Sequence, residues 1–201
     1  MTNFSTTARL ACLAVTLFEG IHAQAPSKTW KIDPLHSSAQ FSVRHMMIST
    51  VRGIFGGVKG TVIFDPANPT ASSVDATIDC TTINTGQAKR DSDLKGEEFF
   101  DVKRYPVMKF KSTKVASAGA GKLQITGDLT INAITKPVTL DVDGPTPSIK
   151  DTQGREKIGV SGVTKVSRKE FGILYNPIME TGGVAVSDEV AITIELELIR
   201  N

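Results

Sequence analysis

Cysteine is nearly absent from the chain: its 201 residues hold two, Cys12 and Cys80. No C-x-x-C or C-x-x-C-H occurs, which excludes covalent c-type haem and cysteine-rich zinc sites. Histidine is almost as scarce, with His22, His36 and His45 only, and neither H-x-H nor H-E-x-x-H is present. A G-x-S-x-G elbow and a phosphate-binding G-x-x-x-x-G-K-[ST] loop are also missing. Charge is balanced, 23 Lys and Arg against 21 Asp and Glu, with no basic block, so nucleic acid is not an expected partner. The apolar run 10–18 is about half the roughly twenty residues a spanning helix needs.

That run has another use. Arg9 precedes it and Ala23-Gln24-Ala25 follows, the order of a secretory leader: charged start, short apolar centre, small-residue cleavage site. Residues 1–25 are therefore expected to be a signal peptide. Residues 26–201 are expected to form one domain, periplasmic, with no integral membrane segment once the leader is removed. Removal takes one base, Arg9, and one acid, Glu19, so the net charge stays +2. Only Cys80 then remains, on the apolar phase of its segment, where a buried and inert thiol is expected.

The rest alternates. Val74, Ala76, Ile78 and Cys80 share one phase; Val58, Val62 and Phe64 share another. Leu123, Ile125, Leu129 and Ile131 agree in phase, as do Val138, Leu140 and Val142, then Val190, Ile192, Ile194, Leu196 and Leu198. Period two with one dry and one wet face is the mark of a half-buried strand. Further strands are expected at 29–33, 37–43, 107–113 and 157–168, eight to nine in all. Gly, Pro, Asn and Asp separate several of them, which indicates an antiparallel sandwich or barrel. Two stretches break the pattern, 44–51 and 88–95, and read as short helical turns or loops. "GIFGGVKG", 53–60, reads as a flexible turn. Slim residues at inward positions (Gly60, Ala76, Gly127, Gly162) suit either close sheet packing or a hollow interior.

Candidate sites are few. His36 and His45 lie at opposite ends of one expected strand, too far apart to share a metal, and none is expected. The charged stretch "RDSDLKGEEFFDVKRYP", 90–106, surrounds the adjacent Phe99 and Phe100. Its Arg90 and Asp91 could clamp a loop by charge-assisted hydrogen bonds or meet an anionic head group at a cavity mouth. No nucleophile or base completes a catalytic set there.

Five motifs in order carry a resemblance: "WKIDPLHSSAQFSVRHM", "GIFGGVKGTVIFD", "RDSDLKGEEFFDVKRYPVMKF", "GDLTINAITKPVTLDV" and "SRKEFGILYNP…SDEVAITIELEL". The chain resembles the YceI-like family, secreted bacterial proteins whose lipocalin-like barrel binds polyisoprenoid or similar long-chain amphiphiles. The resemblance implies an all-β, antiparallel, eight-stranded lipocalin-like barrel with one or two short helices. It implies a carrier without catalysis or cofactor, holding an isoprenoid or fatty ligand in an apolar tunnel. The tunnel would be lined by the inward phase: Phe41, Val43, Val62, Phe64, Ile78, Phe110, Leu129, Leu140, Val160 and Ile194. Its mouth would carry His45, a flap of Met46, Met47 and Ile48, the Arg90/Asp91 pair, and Phe99 or Phe100 as a plug. Two positions depart from the family pattern: Asp93 stands where a His is usual, and Ser187 where Gly is usual. Two other readings compete. One is an enzyme using His36 or His45 with Arg90 and Asp91; the other is a filled sandwich acting as a stress-related interaction partner. Homodimerisation stays open.

Overall fold

The alternation resolves into eleven strands in the computed structural model, which describes residues 28–177 and 183–200. The expected leader lies outside the described residues. In chain order the strands are β1 (Lys28–Ile32), β2 (Ser38–His45), β3 (Ser49–Phe55), β4 (Lys59–Phe64), β5 (Ser73–Asp79), β6 (Val107–Gly119), β7 (Lys122–Ile131), β8 (Ile134–Asp143), β9 (Ile149–Lys150), β10 (Glu156–Ser167) and β11 (Glu189–Arg200). One helix, α1 (Ala88–Leu94), stands between β5 and β6.

Every pairing is antiparallel, and the sheet runs β1-β4-β5-β6-β7-β8-β10-β11 before β11 returns to β1. Closure at β11–β1 completes the ring; β3 pairs with β2 on one side and on its other side meets the chain at the Ile54–Asn84 bridge. β11 is long enough to hold β2 through Ala191–Glu195 as well as β1 through Leu198–Arg200. β1 and β2 therefore act as one strand interrupted at 33–37, and β3 and β4 as one interrupted at 56–58. Counted this way the barrel has eight strands, with β9 a two-residue addition beside β10.

Side-chain hydroxyls repair the ladder where strands break. At 33–37 the Asp33 carboxylate accepts the Leu35 N–H (3.0 Å), while Ser37 Oγ accepts the Glu197 N–H (3.0 Å) that the bend leaves unpaired. Ser112 Oγ does the same for Val74 N–H (2.8 Å) beside the β6 irregularity. A buried amide must find some partner, so these hydroxyls let the chain bend without losing a bond.

Two glycines let aromatic rings lie flat on the inner wall. A Cβ on Gly53 would sit 2.4 Å from the Phe41 ring; one on Gly127 would sit 2.5 Å from Phe110 and 2.6 Å from the Lys111 carbonyl oxygen. The second obstacle is backbone and cannot swing aside. Gly127→Ala is expected to cost about 1–3 kcal/mol. Thermal unfolding followed by circular dichroism would show a drop of roughly 2–4 °C per kcal/mol.

Two expectations need correction. Of residues 44–51, expected as a short helical turn or loop, only 46–48 are a turn: 44 and 45 end β2, and 49–51 open β3. Residues 53–60 are not a flexible turn. Gly53, Ile54 and Phe55 belong to β3, and Ile54 exchanges backbone hydrogen bonds with Asn84 (both 2.9 Å).

Candidate functional site

Inward residues of a filled barrel would be sealed on all sides. Here many of them, including Phe41, Val62, Phe64, Ile78, Phe110, Leu140, Val160 and Ile194, are only half-buried. They face a lumen of about 260 Å³ that the protein does not fill. That is on the order of twenty times the room one water needs, and a methylene takes similar room. On β11 the wall runs from Val190 to Leu198. At about 3.3 Å per residue, those eight steps measure roughly 26 Å along the strand. The lumen is thus long and narrow. Among the described residues, its only polar side chains are Gln40, Ser72, Thr164 and Arg168. An apolar void of this kind gains from hydrocarbon and offers water few partners.

The segment 80–106 lies across one end. Leu94, Phe99 and Phe100 stand on the lumen wall there. Phe100 meets Phe55 edge-on (centroids 5.2 Å), and Phe99 packs on Tyr175 (5.0 Å). Both rings, where one was expected, stand on the wall at this end. Arg90 and Asp91 hold this segment through Thr85. Asp91 Oδ1 accepts the Thr85 N–H (2.8 Å) and hydroxyl (2.5 Å), while Arg90 donates from Nε to Thr85 Oγ1 (2.8 Å) and from Nη2 to the Thr85 carbonyl (3.0 Å). The hydroxyl bond is the main reason the Asp91 carboxyl stays below its usual range. The pair clamps a loop and does not stand on the lumen wall. A second clamp gave no signal in the sequence: Asn132 Nδ2, in the β7–β8 turn, donates to the Phe99 carbonyl (2.6 Å). Asp93 extends from α1 to Lys89 (3.4 Å) and is exposed, away from the lumen.

The other polar element at this end is Arg168, the last residue of the strand expected at 157–168. It is buried, 5% exposed. Its Nε, Nη1 and Nη2 donate to the carbonyls of Ser187 (3.0 Å), Ile173 (2.7 Å) and Val186 (3.3 Å). Burial works against its charge, which the nearby Asp188 partly supports. One guanidinium fork thereby holds the backbone at Ile173 and at Val186–Ser187, next to Phe171, Ile173 and Val186 on the lumen wall. Ser187 Oγ adds to this by accepting the Arg44 N–H (3.0 Å).

Of the residues expected at the site, Phe41, Val43, Val62, Phe64, Ile78, Phe99, Phe100, Phe110, Leu129, Leu140, Val160 and Ile194 all stand on the wall. His45, Met46 and Met47 do not. They form the outer end of a hairpin whose turn carries them past the barrel rim, with Met46 and Met47 exposed. The expected flap is a tip.

The polar cluster with a histidine and two carboxylates is elsewhere. His36 Nδ1 lies 3.0 Å from Asp33 Oδ2 and 3.8 Å from Glu197. Those three could geometrically surround a cation, but Lys157 already places its ammonium on Glu197 and 3.6 Å from Asp33. Arg90 and Asp91 bond to Thr85 and neither engages a histidine, so the set proposed for catalysis is not assembled. Cys80 is buried, and burial pushes its thiol up to about 11, as an unreactive cysteine requires.

The cluster gives acid sensitivity. The His36 hydrogen bond holds the Asp33 carboxyl below its usual 3.8. The unfolded chain therefore takes up this proton first as pH falls. The stabilisation is complete above that value and is lost as pH drops through the lower folded one. The urea midpoint is expected to fall as pH drops from about 5 to below the usual 3.8 of an aspartate, with a shallower slope in Asp33→Asn.

Comparison with known proteins places these features in a family. The model of the YceI-like domain matches residues 30–198. A protein of Vibrio parahaemolyticus serotype O3:K6, called a UPF0312 protein, is 34% identical over 167 residues, 83% of this chain and 86% of that one. The crystal structure of BcnA from Burkholderia cenocepacia superposes with a TM-score of 0.70 at 28% identity, covering 83% of this chain and 98% of that one. A domain from Saccharophagus degradans, described as polyisoprenoid-binding and implicated in plant cell wall breakdown, shares the fold at 14% identity. Its TM-score is 0.61, covering 86% and 98% of the two chains.

Proposed function

The chain belongs to the YceI-like family, and from that premise we infer that it is a binding protein for a long-chain isoprenoid or similar amphiphile, without catalysis. The observation that carries this reading is the row of half-buried apolar side chains facing a long, unfilled lumen. Each methylene moved from water into such a slot contributes about 0.8 kcal/mol, so a tail needs no special polar group to bind tightly. The polyisoprenoid-binding description of the Saccharophagus domain supports the choice of ligand class. The filled-sandwich alternative has no support from a barrel with this interior. The leader-like residues 1–25 support a periplasmic carrier that moves or stores its ligand between membranes.

A ladder of isoprenoid alcohols of increasing length tests the reading. Affinity is expected to climb by about 0.8 kcal/mol per added methylene until the lumen is full, then level off. Affinity that ignores chain length, or no uptake at any length, would overturn it.

A further inference from the structure

The β2–β3 hairpin is turned by residues ill suited to its geometry. Met46 and Met47 both have positive φ, 49° and 59°, and the Ile48 N–H closes the turn on the His45 carbonyl (3.1 Å). Positive φ at both central positions favours Asn-Gly, since an ordinary L side chain is strained there. Met46, Met47 and Ile48 are 44%, 54% and 77% exposed, and none lies on the lumen wall.

The tip is nevertheless held in place. Arg44 donates from Nη2 to the Met47 carbonyl (2.7 Å) and from Nη1 to Thr50 Oγ1 (3.0 Å), and the Met46 N–H donates to the Ala185 carbonyl (2.8 Å). Beside Ala185, Val184 is also exposed. Along the hairpin itself the charge has one sign: between Asp33 and Asp65 the chain holds no acid, while Arg44 and Arg52 flank the tip. The acids beside it, Asp188 and Glu189, come from the neighbouring segment entering β11 and are bonded to Ser167 and to Lys165 (2.9 Å) respectively. The same hairpin runs directly into the lumen, because Val43 is on its wall and His45 bridges to Val186, which is also on it.

We propose that the tip formed by Met46, Met47 and Ile48 is a membrane-docking element that seats on an anionic phospholipid surface. Three adjacent apolar side chains are suited to the boundary of headgroups and acyl chains, and two arginines just behind them meet the phosphates. Methionine adapts to an irregular apolar surface, which suits this position better than a rigid side chain would. Docking here brings the end of the lumen to the bilayer that holds a long-chain ligand. That purpose rests on the carrier reading; docking itself does not, since it is measured on vesicles without isoprenoid.

The full chain is sedimented with vesicles of phosphatidylethanolamine and phosphatidylglycerol, and with vesicles of phosphatidylcholine alone. Wild type is expected to partition onto the anionic vesicles and only weakly onto the neutral ones. Met46→Asn/Met47→Gly/Ile48→Ser is expected to lose about tenfold or more in partitioning, while its thermal midpoint holds or rises because the turn now suits its conformation. The proposal is overturned if wild type ignores anionic vesicles, prefers neither composition, or is matched by the variant. It is also overturned if the tip drives dimerisation in place of vesicle binding. Isoprenoid uptake from detergent, measured on both proteins, separates the two ideas. Docking without uptake removes the carrier reading alone, and uptake without docking removes this one alone.

Discussion

Val160→Trp is expected to weaken isoprenoid binding by about a hundredfold or more without unfolding the protein. Val160 is on β10, paired with Leu196, and its side chain is half-buried because it faces the open lumen. An indole there enters existing space, so the strain of overpacking a sealed core is avoided. It takes room from a lumen of about 260 Å³ and displaces on the order of four methylenes of ligand. At about 0.8 kcal/mol each, that is about 3 kcal/mol of binding lost. Val163→Trp is the control: it lies on the same strand but is 52% exposed on the outer face, and its affinity is expected to stay that of wild type. Isothermal titration of both variants with one isoprenoid alcohol decides the matter.

Arg168→Met is expected to cost about 3–5 kcal/mol of stability, as breaking a buried charged network does. Three carbonyls, those of Ile173, Val186 and Ser187, lose their donor together. At roughly 2–4 °C per kcal/mol, thermal unfolding would fall by on the order of 10 °C. Arg168→Lys restores the charge but not the fork, and is expected to recover less than half of the loss. Because Arg168 holds the backbone at Ile173 and Val186, which stand with Phe171 on the wall, ligand release from Arg168→Met is expected to be faster at temperatures where it is still folded.

The barrel was legible wherever alternation is strict. Val74, Ala76 and Ile78 agree in phase, as do Val190 through Leu198, and all these phases face the lumen as expected. β3 carries no alternation for a physical reason. Its inward position Gly53 has no side chain because the Phe41 ring, from the opposite strand, lies over it. The residue that makes the contact possible is the one that erases the pattern. The Met46-Met47 turn was hidden because its conformation is one that methionine rarely adopts, so local chemistry pointed elsewhere.

The end structures were the least legible. Asn132 reaches Phe99 across 33 residues, and Lys157 reaches Glu197 across 40. Arg168 holds carbonyls up to 19 residues away. Nothing in the neighbourhood of these residues announces such partners; only closure of the barrel brings them together. The clamp at Arg90 and Asp91 was foreseeable because its partner Thr85 is five or six residues distant, within one turn and loop. Apolar lumens leave little motif behind, so an unremarkable strand pattern is compatible with a specific binding protein.

The central claim is that the lumen holds a long hydrocarbon chain. Native mass spectrometry of the full-length gene product, recovered from a periplasm without detergent, tests it most directly. One bound amphiphile per protein is expected, extractable into organic solvent and missing from Val160→Trp. A protein that is empty as isolated, and remains empty when offered isoprenoid, would contradict it.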